Sequence, residues 1–245
     1  MDPLFYEVFN DLPRQGPGQL ESTRRAFHHL KPQRPIRTVL DIGSGSGIHS
    51  LELCKLTPAS ILSIDTNPVT VDILNRKFHQ AGYSSRAEAR IGDMLNLEFP
   101  ESHFDLIWAE SCIFIIGFEK GLREWKRVLA PDGWLVLSEA VWLTPERPAE
   151  IQAWWDHIYP DIRTIEQNQK IIRDCGYYPA DSFVMDPSAW WDDFYIPMEK
   201  KIGEMRIKYQ NDETARPVLD ALTEEIDMYR RYSDYYGYAF FIMHR

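Results

Sequence analysis

The sequence predicts an α/β fold, a doubly wound and mostly parallel sheet, on three observations. An apolar strand, Val39-Leu40-Asp41-Ile42, runs into Gly43-Ser44-Gly45-Ser46-Gly47 and then into a helical pattern from Ile48 to about Lys55. Closely spaced glycines cost conformational entropy and are kept where backbone must approach something closely. A strand, a glycine loop and a helix in that order form the nucleotide-cradling corner of such sheets. From Arg37 onward strands alternate with single helices, which implies right-handed crossovers and parallel pairing. At 245 residues and 44% apolar composition the chain can bury one substantial core.

The elements follow in order. Leu4, Phe5, Val8 and Phe9 lie at helical spacing, and a second helix is expected from about Leu20 to Leu30. Between them Gly16-Pro17-Gly18 makes a rigid turn. Strands are expected at 37–42, 60–65, 86–91, 104–109 and 134–140, with helices at 47–55, 68–81 and 118–129. Helix 68–81 has Asn67 as N-cap, Pro68 in the first turn and Gly82 just beyond. Helix 118–129 places Phe118, Leu122, Trp125, Val128 and Leu129 on one face. After Glu139 the register changes to a segment rich in Trp, Pro and acid, then a helix at 168–175 and a short strand at 182–185. Two charged helices, about 191–209 and 212–232, precede an apolar run, Gly237 to Met243, that suits a central strand. The expected organisation is one domain: a helical lid at 1–36, a ligand-binding core at 37–140, and a C-terminal part at 141–245 with insertions at 141–167 and 187–233.

Composition removes several function classes. No run of 18 apolar residues is present, so no membrane partner is expected. The start, Met1 to Glu7, lacks the regions of a signal peptide. Cys54, Cys112 and Cys175 are widely spaced and form no disulfide framework, which points to a reducing cytoplasm. The net charge of −10 repels polyphosphate, and no basic stripe offsets it, so no nucleic-acid partner is expected. His28, His29, His49, His103 and His157 show no metal-ligand spacing, so no metal is expected. Cys112, unpaired, reads as buried filler.

The glycine loop alone is weak evidence, and its neighbours raise its value. A dinucleotide fingerprint built on Gly43 and Gly45 would need a third glycine where Ile48 stands. Asp65 ends the next apolar strand, where a carboxylate can accept hydrogen bonds from both hydroxyls of a ribose. Gly92-Asp93-Met94 closes the third strand, where a carboxylate can accept from an adenine amino group. The fourth strand ends in Ala109-Glu110-Ser111. Four consecutive strand ends thus carry loop chemistry on the carboxyl edge of one sheet, where open α/β sheets bind ligands. The set is acidic, which suits a ligand with an adenosine and a cationic centre.

Asp41 to Gly47, Asp65, Gly92-Asp93-Met94 and Leu129-Ala130-Pro131-Asp132-Gly133 together resemble the class I S-adenosylmethionine-dependent methyltransferases over about residues 37–140. The flanks, including Leu12 to Gly18, Glu146 to Glu150 and Tyr235 to Tyr238, resemble a bacterial and archaeal group of small methyltransferases related to the ubiquinone/menaquinone-biosynthesis type. The resemblance implies a Rossmann-like methyltransferase fold of seven strands, the last antiparallel and formed by 235–244, with an aromatic-rich helical insertion as substrate cap. It implies S-adenosylmethionine as cofactor, with Gly43, Gly45 and Gly47 under its amino-acid part and ribose. Asp41 would orient the loop or reach the methionine ammonium, and Asp65, with Thr66 or Asn67 beside it, would hold the ribose. Asp93 and Met94 would hold adenine, while Ala109 and Glu110 would line the sulfonium side. Arg14 to Gly18, Gly16 included, would close over the cofactor, with Arg14 offered to its carboxylate.

The expected reaction is methyl transfer to a small-molecule acceptor by in-line displacement, in a monomer or a homodimer. Glu110 or a cap tyrosine is the candidate base, and Trp142, Trp154, Trp155 and Tyr159 either line the acceptor pocket or pack the insertion. Two competing readings are a nicotinamide-dependent oxidoreductase and a non-enzymatic binder of S-adenosylmethionine. The first lacks the third glycine and any separate Tyr/Lys or His set.

Overall fold

In a computed structural model, which describes residues 3–245, one mixed sheet organises the chain. Met1 and Asp2, on which the signal-peptide expectation and the start of the 1–36 lid partly rest, lie outside the described residues. The strands are β1 (Thr38–Ile42), β2 (Ser60–Asp65), β3 (Ala87–Ile91), β4 (Phe104–Ala109), β5 (Leu129–Trp142), β6 (Arg163–Thr164), β7 (Tyr178–Val184) and β8 (Tyr236–His244). Their spatial order is β3-β2-β1-β4-β5-β8-β7. β8 runs antiparallel to both β5 and β7, and the pairs among β1 to β5 are parallel. This is the seven-stranded Rossmann-like methyltransferase architecture with its last strand reversed. The two-residue β6 is an addition that the sequence pattern did not signal: it pairs with Val141 and Trp142 where β5 outruns β4.

Both faces of the sheet are covered, so the central strands are apolar on both sides. Val39, Leu106, Trp108, Val136 and Phe240 join one core. Leu40, Ile107, Leu135, Leu137 and Phe241 join the other. The N-terminal helices Pro3–Asn10 and Leu20–His28 belong to the first side, where Val8 and Ala26 are fully buried.

Several boundaries differ from the sequence expectation. The helix expected over 118–129 ends at Trp125, because Leu129 already pairs with Phe104 as the start of β5. Pro131-Asp132-Gly133 lies inside β5 rather than before it, with Asp132 in the left-handed region at φ 59°, a conformation aspartate tolerates better than most residues. β5 therefore crosses the expected boundary at 140 and carries the sheet to Trp142. The last helices span Ile196–Lys208 and Ala215–Tyr232, the former entered through a π-helical segment at Trp191–Tyr195.

Candidate cofactor and active site

The strand order reverses between β1 and β4, and the loops leaving these two strands bound a crevice at the carboxyl edge. Gly43, Gly45 and Gly47 all have positive φ (68°, 52° and 76°). A Cβ at Gly47 would stand 2.1 Å from Leu74 Cδ1, so only glycine lets the loop lie against helix Pro68–Gln80. Lys77 donates to the Ser46 carbonyl at 2.8 Å and pins the loop from the same helix.

Asp41 lies beneath this loop with no exposed surface. Its Oδ1 faces His49 Nε2 at 3.1 Å, and its Oδ2 accepts from Ser50 and from Ser63 at 3.0 Å. Both oxygens are therefore engaged by the helix that follows the loop and by β2. Asp65 stands at the tip of β2, where Oδ2 accepts from Gly45 N–H at 2.8 Å and Oδ1 from Asn67 N–H at 2.9 Å. Thr70 Oγ1 also lies 3.4 Å from Oδ1, and since a carboxylate offers about four acceptor positions, Oδ2 keeps capacity for a hydroxyl. Thr66 is exposed. Asn67 caps the following helix through Val69 N–H at 3.0 Å and donates to Asn10 at 2.6 Å. Asp93 is exposed at the end of β3 and accepts from Leu95 N–H at 2.8 Å. Trp125, in the core, donates to the Met94 carbonyl at 3.1 Å and fixes that turn from behind.

Ala109 is fully buried, and Glu110 follows it at the end of β4. Glu110 Oε1 accepts from Thr23 at 2.8 Å and from Trp108 Nε1 at 2.9 Å; Oε2 accepts from Arg14 at 3.0 Å. His49 Nδ1 lies 4.0 Å from the same Oε2. Burial alone would push the His49 imidazolium down, but Asp41 and then Glu110 outweigh it and hold its pKa above the ordinary value. A buried charged chain thus runs Asp41–His49–Glu110–Arg14 across four segments.

The 14–18 segment lies directly on this arrangement. Gln15 accepts from Ser46 N–H at 2.8 Å and donates to the Phe9 and Leu12 carbonyls, both at 3.1 Å. Ser46 Oγ donates to the Pro13 carbonyl at 3.1 Å, and Ser111 Oγ to the Pro17 carbonyl at 2.7 Å. Gly16 sits against Ser111, where a Cβ would come within 3.0 Å of the serine Cβ. The sequence reading included Gln15 only as part of the Arg14 to Gly18 segment and did not assign Thr23, Trp108 or His49, which surround the Glu110 carboxylate that holds Arg14.

Two buried groups here have polar atoms without a partner: Arg14 Nε and Nη2, and Ser44 Oγ. Asp193 lies 4.0 Å from Arg14 Nε, too far for a hydrogen bond. Cys112 packs on the loop, where a Cβ at Gly43 would meet its Cβ at 2.7 Å. Its thiol donates to the Ile42 carbonyl at 3.1 Å and is pushed well up by burial and then by Asp41, so it is no nucleophile. Among the described residues no group of three His, Cys, Asp or Glu could hold a metal ion, and no helix is long and apolar enough to cross a membrane. Trp142 and Trp155 are buried against each other and Tyr236, ring centroids 5.1–6.4 Å apart, so these tryptophans pack the insertion. Trp154 is half-buried beside Trp155.

Residues 39–133 match the family described as "Methyltransferase domain". The chain is 25% identical over 169 residues to the 27-O-demethylrifamycin SV methyltransferase of Amycolatopsis mediterranei, covering 65% of this chain and 61% of that protein. It thus spans less than two thirds of the curated relatives it matches first, and only 33% of a sterol 24-C-methyltransferase of Aspergillus fumigatus. A solved methyltransferase of Thiobacillus denitrificans, in complex with S-adenosyl-L-homocysteine, superposes with a TM-score of 0.83 at 18% identity over 99% of this chain and 98% of that one. The cyclase SpnF superposes at 0.77 with 19% identity, covering 99% and 91%. Residues 39–133 are thus similar to a methyltransferase domain, and the sheet built around them shares the fold of solved S-adenosylmethionine-dependent methyltransferases.

Proposed function

We propose that this chain binds S-adenosylmethionine at the β1–β4 crevice and transfers its methyl group to a small-molecule acceptor. The observation that carries the reading is the pairing of a glycine loop with a buried arginine whose Nε and Nη2 lack partners. A ligand carboxylate beside Arg14 would satisfy those donors, and charge-assisted bonds of this kind are the strong ones. In this reading Ser44 Oγ also meets the amino-acid part, Asp65 accepts from the ribose hydroxyls, and Asp93 with the Met94 backbone receives adenine. Ala109 and Glu110 line the sulfonium side, Asp41 acts through the loop, and Thr66 and Asn67 shape the ribose edge. S-adenosylmethionine supplies an activated methyl group when bound. The chain's own part is alignment, which contributes up to roughly 7–11 kcal/mol in ideal systems.

The N-terminal strap would serve as the lid, opening through its contacts with Ser46, Ser111 and Glu110. Glu110 fits poorly as a proton acceptor, because three donors and His49 already surround it. Its place in the site is to hold Arg14. Segments 141–167 and 187–233 would cap the acceptor side. A cytoplasmic location fits the three free cysteines, and a homodimer is the simplest assembly to test. The fold shared with a cyclase keeps a second reading open, a protein of this fold that catalyses no methyl transfer.

Calorimetric titration with S-adenosylmethionine and with NAD tests the cofactor, and transfer of labelled methyl from S-adenosylmethionine into a mixture of small metabolites tests the activity. Binding without any labelled product favours the second reading; binding of NAD alone overturns both.

A further inference from the structure

A second buried carboxyl stands on β5, the strand that pairs with β4 ahead of Glu110, and nothing above uses it. Glu139 lies on β5, one residue beyond Ser138, whose hydroxyl accepts from the Ser111 amide at 2.9 Å. It is 1% exposed. Its Oε1 accepts from the Ala140 amide at 2.6 Å. Its Oε2 and the hydroxyl of Tyr159, just past helix Ala149–Ile158, are both buried with no partner outside the pair. The two groups face each other as hydrogen-bond partners, Tyr159 lowering the Glu139 carboxyl and Glu139 raising the Tyr159 hydroxyl. Glu139 also bears on the Cys112 thiol, which packs on Gly43, so the pair lies on the glycine-loop side of β5.

We propose that Glu139 and Tyr159 form the acceptor-binding pair of this site, with Glu139 taking the proton from a hydroxyl carried by an otherwise apolar acceptor. The proposal rests on the methyl-transfer reading. Buried polar atoms in native proteins nearly always have partners, and these two have only each other, which leaves the carboxylate oxygen and the hydroxyl capacity for a third polar group. Glu110 already accepts from three donors, so Glu139 is the less committed of the two buried carboxyls.

The surroundings favour a neutral hydroxyl on an apolar body. The Phe114 ring lies 6.0 Å from Tyr159, and Phe114, Ile115 and Ile158 are 40%, 61% and 57% exposed, an apolar rim without a partner in this chain's core. Burial pushes the Glu139 carboxyl up to about 8 against the Ala140 amide and Tyr159, with Arg163 lowering it and Asp161 raising it. Cys112 and Tyr238 are the other titratable groups facing it. At neutral pH most of the carboxyl is protonated, and a neutral O–H partner adds no net charge to this interior. Arg163, which lowers the Glu139 carboxyl, borders two surface clefts of about 410 and 390 Å³ on either side of segment 160–164.

The step balances as follows. The acceptor O–H bond breaks and its proton goes to the ionised Glu139. The oxygen bonds the methyl carbon, the carbon–sulfur bond breaks, and its electron pair stays on sulfur as a neutral thioether. Glu139 then releases the proton to solvent. Because the ionised form is the minority species at neutral pH, hydroxyl methylation should rise with pH towards about 8.

The test uses the full chain saturated with S-adenosyl-L-homocysteine, whose affinity is measured first by calorimetry. Two fluorescent probes of matched shape, 2-naphthol and naphthalene, are then titrated. 2-Naphthol should bind about tenfold tighter, and Glu139→Gln and Tyr159→Phe should each erode that preference without changing the homocysteine affinity. In infrared spectra the C=O stretch of a protonated carboxyl should vanish in E139Q and shift when 2-naphthol binds. If E139Q does not fold, the same stretch in Y159F carries the test. Equal affinity for the two probes, no 2-naphthol binding, or an unmoved stretch overturns the pair. Failure to bind S-adenosyl-L-homocysteine overturns the methyl-transfer reading beneath it.

Discussion

Arg14 and Glu110, 96 residues apart in sequence, meet in the interior through a 3.0 Å ion pair, with side-chain exposures of 4% and 3%. That pair closes the strap over the crevice. Breaking a buried pair by removing one partner costs about 3–5 kcal/mol. Here Glu110 retains Thr23 and Trp108 as donors, so much of that cost can be avoided by opening the strap rather than unfolding the domain. Arg14→Leu is therefore expected to raise amide exchange over residues 12–18 on the order of a hundredfold, with a much smaller change in β1 and β4. Equal effects on strap and strands would show that the pair supports the whole domain instead.

Asp65 has two tasks in the structure, and substitutions test both. Its carboxylate accepts from Gly45 and Asn67 amides and keeps lone pairs for a ribose. Asp65→Asn retains one carbonyl oxygen, while Asp65→Ala leaves both amides without their partner. Charge-assisted bonds to ribose are worth about 1.5–3 kcal/mol, so either variant should lose that much affinity for S-adenosyl-L-homocysteine by calorimetry. Both variants should lower the denaturant midpoint, the alanine variant because two amides lose their acceptor and the asparagine variant because its NH2 faces one of them. An unchanged affinity in folded D65N removes Asp65 from the ribose.

The legible part of this site was the part indexed by strand ends. Asp65, Asp93 and Glu110 each follow an apolar run, and an acid at the end of a parallel strand lands on the ligand edge whatever the tertiary details. Gln15, Thr23 and His49 belong to no such index. Thr23 reaches Glu110 only because helix Leu20–His28 docks across 87 residues of sequence, and no local pattern encodes that docking. His49 carries no metal-ligand spacing, yet its partner Asp41 is brought beneath it by the glycine turn. Glu139 had a signal, a carboxylate between Ser138 and Ala140 in an otherwise apolar strand. The start of β5 did not: Pro131 and Gly133 read as a loop, and they form a bulge between Leu129 and Trp134, the residues that pair with β4 on either side.

Gly47 is expected to be the least replaceable loop position. Its φ of 76° disfavours any Cβ, and the Cβ of an alanine would clash with Leu74 at 2.1 Å. Gly47→Ala should destabilise the domain by about 1–3 kcal/mol from backbone strain alone, with the clash added. Combining it with Leu74→Ala relieves the clash and leaves the strain. The double variant should thus be more stable than the sum of the singles in a double-mutant cycle. Simple additivity would mean that the loop shifts away from the helix at no cost.

Two buried groups make stability fall with rising pH, over different ranges. His49 has a folded pKa above its ordinary value of about 6.5. Its stabilising contribution is fully present below that value and is lost as pH climbs through the folded one. Glu139 is raised from 4.5 to about 8, the reverse of the usual carboxylate. The folded state then holds a proton that the unfolded chain releases above about 4.5, so stability declines from there until pH about 8. By pH 7 the loss is on the order of 3 kcal/mol. Denaturant midpoints measured from pH 5 to 9 separate the two. Glu139→Gln keeps a neutral, hydrogen-bonding side chain and should flatten the decline that begins in the acid range, leaving the protein more stable than the parent at pH 8. His49→Gln should flatten only the part above about 6.5, at a cost in stability below it, because Asp41 and Glu110 lose their shared cation. A Glu139→Gln profile parallel to the parent's would mean that Glu139 is already ionised in the folded protein.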